Sequence, residues 1–147
     1  MTEPLNSPFV YQQRVAFVDT DMAGIVHFSN FFRYMEAAED AFLQHLGIKL
    51  VGTAEGRPMS FPRLSVQASY ISPLHYGDVV EVEVQLMELG EKKIRYAFLM
   101  QSNSRVVARG EILTICCEMN PLRSIPIPTS MHEKLATYRL GTSSSGG

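Results

Sequence analysis

The chain has 147 residues, 46% hydrophobic and 19% charged, the balance of an ordinary folded domain and not of a disordered segment. Thirteen basic residues against fifteen acidic ones leave a formal charge of -2, which excludes any general attraction to nucleic acid or anionic lipid. The opening "MTEPLNSPFVYQQ" has neither a basic segment nor a long apolar run, and no later stretch approaches the ~20 apolar residues of a membrane span, so a cytoplasmic protein is expected.

In chain order, Val10, Val15, Phe17 and Val18 predict a first strand over residues 9–18. It runs into two acidic residues, Asp19 and Asp21. From residue 29 to 46 the period changes: Phe31, Tyr34, Met35, Ala38, Phe42 and Leu46 recur every three or four residues, while Arg33, Glu36, Asp40 and Gln44 form a polar stripe. An amphipathic helix is predicted, with Ser29 as its N-cap and Gly47 just past its end. Phe32 and Leu43 widen the apolar face, so the helix should be central. "KLVGTAEGRP" reads as a loop.

Beyond it the pattern is β. "MSFPRLSVQASYI" is one candidate strand, compromised by Pro62. "DVVEVEVQLMEL" alternates strictly, placing Val80, Val82, Val84 and Leu86 on one face and Glu81, Glu83 and Gln85 on the other. "KKIRYAFLMQS" and "RVVARGEILTICCE" follow as hairpin partners, the second after the polar turn 102–104. Cys116 and Cys117 are adjacent, badly placed to pair with each other, and read as packing residues. "MHEKLATYRL" predicts a short final helix. A single domain over 1–140 is expected, with a disordered Gly/Ser-rich tail over 141–147. One helix cannot cover both faces of such a sheet, so an α+β fold is predicted: an antiparallel sheet curved round the helix, with oligomerisation hiding what remains.

The acidic pair has a plain explanation, since Asp shapes turns by bonding nearby backbone. Its surroundings point further. Asp21 is followed by the small pair Ala23-Gly24, then by a helix start whose free N–H groups favour negative charge. A carboxylate beside anion-stabilising donors is the minimal equipment for acyl hydrolysis.

"DTDMAGIVHFSNFFRYMEAAE" resembles the signature of hotdog-fold thioesterases of the 4-hydroxybenzoyl-CoA thioesterase and acyl-CoA thioesterase type, and "SYISPLHYGDVVEVEV" resembles their strand and turn before Gly-Asp. The likeness covers residues 11–121. It implies a five-stranded antiparallel sheet wrapped round a long helix, and hydrolysis of an acyl-CoA or aryl-CoA thioester without metal or organic cofactor. By position it implies that Asp21 is the catalytic nucleophile or general base, that Asp19 is a noncatalytic acid, that the Phe28 backbone N–H is the oxyanion donor, and that Gly24 permits the close turn. His27 precedes the position where many acyl-CoA members carry a histidine, and stands as a substrate-contact candidate with a packing or interface role as the alternative.

Phe31, with Phe28, Phe32, Tyr34 and Met59, would suit an apolar or aromatic acyl group, or belong to the core. Lys92 and Lys93 at the hairpin turn, and Arg63 and Arg105 more loosely, are candidates for the CoA phosphates. Glu36 and Glu39 could line the channel. The family's sites lie between two subunits, which implies a homodimer, paired again into a homotetramer. Two other activities fit less well: an acyl-thioester hydratase or dehydratase, whose His spacing is missing, and a noncatalytic acyl-thioester-binding module, which would not need Asp21. A metal hydrolase on Asp19, Asp21 and His27 offers too few oxygen ligands, and no metal site is expected.

Overall fold

The computed structural model describes residues 8–49, 52–54 and 56–145. The first strand, β1 (Phe9–Arg14), is shorter than predicted. Residues Phe17–Asp19 form a tight 3₁₀ turn instead, because the Asp19 side chain takes the Ala16 N–H at 3.4 Å and the Asp19 N–H bonds the Ala16 carbonyl at 3.0 Å. The strand's ladder ends where a side chain captures its donor.

Helix α1 (Asn30–His45) has the predicted period, burying Phe31, Tyr34, Met35, Ala38, Phe42 and Leu43 on one face. Its start is not capped as expected, since Ser29 makes no side-chain capping bond and its hydroxyl goes to His27 Nδ1 at 2.9 Å. Its end is the predicted glycine stop. Gly47, at φ +77, donates to the Gln44 carbonyl while Ile48 donates to that of Leu43, a paired closure that satisfies two of the helix's last carbonyls.

The loop predicted after α1 contains two short strands, β2 (Gly52–Ala54) and β3 (Arg57–Ser60). Pro62 then breaks the single strand expected across it, and β4 (Arg63–Tyr70) starts afresh. The strands β5 (Val79–Leu89), β6 (Lys93–Ser102) and β7 (Arg105–Ile115) follow as predicted. The last two are joined by Asn103 and Ser104, both at positive φ, as a two-residue hairpin turn demands. The short strands β8 (Cys117–Glu118) and β9 (Arg123–Ser124) complete a small sheet ordered β2-β3-β8-β9. The main sheet is five-stranded and antiparallel, ordered β1-β5-β6-β7-β4.

Val80, Val82, Val84 and Leu86 of β5 and Ile94, Tyr96, Phe98 and Met100 of β6 form the buried face with α1. Gly110 in β7 permits the closest approach: a Cβ there would lie 2.3 Å from the Met35 Cε and 2.9 Å from the Gln67 carbonyl. Helix α2 (Thr129–Ser145) docks through Met131, Leu135 and the Tyr138 ring, which meets Phe42 edge-on. Its bounds reach Ser145, and the last two residues of the tail expected over 141–147 lie outside the described residues. The far face of the sheet is a polar groove of about 370 Å³ with Gln67, Glu83, Gln85, Arg109 and Glu111 on its walls.

Candidate active site

The motif forms a small hairpin ahead of α1. Asp21 N–H bonds the Ile25 carbonyl at 2.9 Å, Thr20 bridges to Val26, and Gly24 turns the chain at φ +81 while donating to the Asp21 carbonyl at 2.9 Å. That φ is easy for glycine and strained for other residues, so Gly24 sits where the sequence placed the close turn. The returning limb is held from outside by the Val26 N–H to Leu74 carbonyl bond at 2.8 Å and the Ile25–His75 bridge.

Within this hairpin the two acids separate completely. Asp19 is 4% exposed. Its carboxylate accepts Tyr34 Oη–H at 2.8 Å, Arg33 at 2.9 Å and the Ala16 N–H. Its backbone carbonyl accepts the His27 N–H at 3.0 Å and Asn30 Nδ2 at 2.9 Å, and Asn30 Oδ1 in turn accepts from Arg33 at 3.0 Å, closing a ring. Burial pushes the Asp19 carboxyl up, but the bonds from Tyr34, Ala16 and Arg33, with the Arg33 charge, outweigh it and hold the group below its ordinary value. A depressed carboxyl stabilises the fold above its unfolded pKa, and that contribution is lost as pH falls through the lowered value. The same arrangement pushes the Tyr34 hydroxyl well up, through burial first and the Asp19 contact second.

Asp21 is exposed, and one carboxylate oxygen accepts the Ala23 N–H at 2.8 Å. The other carboxylate oxygen makes no hydrogen bond among the described residues. Seven positions on, the backbone donors of residues 26–31 can be followed one by one. Val26 donates to the Leu74 carbonyl, His27 to that of Asp19, Asn30 to that of His27 and Phe31 to that of Phe28, while Ser29 reaches His27 Nδ1 at 3.3 Å. The Phe28 N–H alone in this run has no acceptor among the described residues. The Phe28 side chain is 61% exposed, stacked on His27 with ring centroids 4.5 Å apart, and its carbonyl accepts the Tyr70 hydroxyl at 3.2 Å.

The remaining candidates divide. Phe31 is buried against Tyr34 and Tyr70, so it backs the site and does not face solvent. Tyr34 and Met59 are likewise buried. Arg63 is corrected as a phosphate ligand: its guanidinium is committed to both oxygens of Glu39 and to Glu36 at 3.3 Å, a cluster with more negative than positive charge. Glu39 is fully buried in that pair and lines no channel. Burial pushes its carboxyl up against the pull of Arg63, whereas Arg63 is held up by the two carboxylates despite its own desolvation.

Lys92 and Lys93 sit at the opposite end of the main sheet, with Lys93 opposite Ile115 while Tyr70 is opposite Ala108. Seven residues of strand separate the two ends, about 23 Å, so these lysines do not meet Asp21 within one chain. The sequence reading missed Tyr34, Arg33 and Asn30 as a support for the motif, and Tyr70 as a neighbour of Phe28. The first three looked like ordinary helix residues; an aromatic at an exposed strand end was the one available signal for Tyr70.

Residues 15–135 match the thioesterase-like superfamily. The chain belongs to it. A 1,4-dihydroxy-2-naphthoyl-CoA hydrolase of Thermosynechococcus vestitus is 31% identical over 121 residues, 80% of this chain and 82% of that protein. Another of that name, from Synechococcus elongatus, is 27% identical over 128 residues, 86% and 94% of the two. Among solved structures, a gentisyl-coenzyme A thioesterase superposes with a TM-score of 0.76 at 30% identity, covering 85% of this chain and 98% of that one. The hotdog-fold thioesterase resemblance carried by the motif is thus borne out for this member of the superfamily, as is the antiparallel sheet wrapped on its helix. No helix among the described residues is long and apolar enough to cross a membrane.

Proposed function

We propose that this thioesterase hydrolyses an aryl-CoA thioester to the free acid and CoA, with Asp21 as nucleophile or general base and the Phe28 N–H as oxyanion donor. The observation that carries it is the unpaired Phe28 N–H in a run whose other donors are all engaged, seven positions after an exposed carboxylate with one uncommitted oxygen. As base, Asp21 takes a proton from water while the water oxygen attacks the thioester carbon. The carbonyl electrons collect on oxygen at the Phe28 N–H, then return as the C–S bond breaks and CoA leaves as thiolate. As nucleophile, Asp21 displaces CoA to give a mixed anhydride that water opens. A thiolate is a good leaving group, so neither route requires a second acid. Neither requires a metal or organic cofactor, because the carboxylate and the N–H supply what one would provide.

The aryl preference is supported by the names of the relatives and by Phe28 and Tyr70, both exposed with their rings 6.4 Å apart. His27, stacked on Phe28, is the polar contact this reading gives to the acyl group. The reading includes a homodimer. Strand β4 is an edge of the main sheet with Leu64, Val66 and Tyr70 all more than two-fifths exposed, followed by Ile71 at 54%, and such an edge favours pairing with a second copy. A two-fold across β4 reverses the partner's strand end for end, bringing its Lys92 and Lys93 end toward this chain's Asp21 as phosphate ligands. Pairing of two such dimers gives the homotetramer, working in the cytoplasm.

The test is thiol release from a panel of acyl-CoA and aryl-CoA esters, with native protein and Asp21→Asn at matched oligomeric state. The expected result is preference for an aryl ester and a fall in kcat of about 10²-fold or more in the variant. Native protein that binds these esters without releasing thiol would leave a binding module in place of an enzyme.

A further inference from the structure

Resting on that reading, we propose that Asp19 is a positioning residue for the reaction, which holds the Phe28 N–H open for the oxyanion. A peptide N–H points where the rest of its plane is held. The plane carrying the Phe28 N–H also contains the His27 carbonyl, which accepts the Asn30 N–H at 2.9 Å, and the preceding His27 N–H donates to the Asp19 carbonyl at 3.0 Å. Asn30 reaches the same Asp19 carbonyl through its side chain at 2.9 Å.

Both sides of the donor's peptide therefore refer back to one atom, the Asp19 carbonyl oxygen. That oxygen is itself fixed by the side chain of its own residue, whose carboxylate is tied to Tyr34 and Arg33 on α1 and to Ala16, two residues past β1. The ring through Arg33 and Asn30 couples the two halves of the residue. Asp19 thus does for the donor what a buried support does for a reacting group, restricting it to one direction before substrate arrives. The alternative direction for the plane would turn the Phe28 N–H inward and leave the oxyanion without it. None of this requires Asp19 to touch substrate, and at 4% exposure it does not present its carboxylate to one.

Asp19→Ala, Asp19→Asn and Tyr34→Phe separate this role from simple stabilisation. They are compared with native protein for kcat and KM on the preferred thioester, well below each variant's melting temperature, together with hydrogen exchange at the His27 amide. In Asp19→Ala the expected result is a kcat lower by about 10–10²-fold with KM within about threefold, and faster exchange at His27. Asp19→Asn keeps an acceptor for the Tyr34 hydroxyl and should recover part of kcat. Should Asp19→Ala not fold, Tyr34→Phe removes one bond to the carboxylate and should lower kcat by about threefold, again with little change in KM.

A folded Asp19→Ala with native kcat, or with exchange at His27 unchanged, overturns the positioning role while leaving the thioesterase intact. Native protein inactive on every CoA thioester removes the proposed function, and the donor's role with it.

Discussion

The helix core and the motif hairpin treat polar groups in opposite ways. In the core, Glu39 is buried and still finds Arg63, 24 residues away, with both oxygens occupied. Among the described residues, no fully buried side-chain nitrogen or oxygen lacks a hydrogen-bond partner. In the hairpin, one acid is saturated and the other is not: Asp19 accepts through its carboxylate from three directions, while Asp21, two residues on, is exposed and keeps an oxygen free. Apolar groups follow the same division. The core hides its valines and leucines, whereas Phe17, Val18, Met22, Phe28 and Tyr76 around the hairpin are each 60% exposed or more. Groups left unsatisfied around the hairpin, against a core that satisfies its own, are groups kept for something outside the chain.

The comparison is broken if damage to the core lowers turnover as much as damage to the hairpin. Glu39→Ala is the largest test on the core side. It leaves Arg63 partly buried beside Glu36 alone, and removing one partner of a buried pair costs about 3–5 kcal/mol. Chemical denaturation should show that loss. Replacing the pair together, Glu39→Met with Arg63→Met, should restore most of it, because packed apolar side chains need no counter-charge. The kcat of the folded fraction should be native in both.

Much of this division was legible in the sequence, though unevenly. The α1 face was read from Phe31, Tyr34, Met35, Ala38 and Phe42 because helical periodicity is local, and β5 was read from its alternating valines for the same reason. The small sheet was invisible, since β2, β8 and β9 have two or three residues each and exist because distant segments meet. Arg63 was misjudged as a phosphate ligand for a similar reason: nothing in its neighbours in sequence announces Glu39. In the motif, residue types singled out Asp21 and Gly24, but only the folded chain distinguishes an N–H that is spoken for, as at His27, from one that is open, as at Phe28.

That open donor gives the next test. Phe28→Pro removes the N–H outright and should lower kcat by about 10²–10³-fold, the effect of losing one oxyanion donor. Phe28→Ala keeps the N–H and removes only the exposed ring, so its kcat should stay within about tenfold of native, with the loss appearing in KM. Equal effects from the two substitutions would mean that the ring, not the backbone, carries the role. Circular dichroism and melting of both variants show whether the start of α1 survives the proline.

The smallest effect belongs at the far end of the same helix. Gly47 holds φ +77, and a Cβ there would meet only the flexible Lys134 Nζ at 3.3 Å, so Gly47→Ala should cost backbone strain and little packing, about 1 kcal/mol. A thermal or denaturant midpoint resolves a change of that size. The paired closure by Gly47 and Ile48 ends α1 at the opposite end from Asn30 and the proposed oxyanion donor of Phe28. Gly47→Ala should therefore lower stability while kcat and KM remain native. If turnover fell with it, α1 would be transmitting strain along its whole length to the Phe28 peptide, and the hairpin would owe its open donor to the core as well as to Asp19.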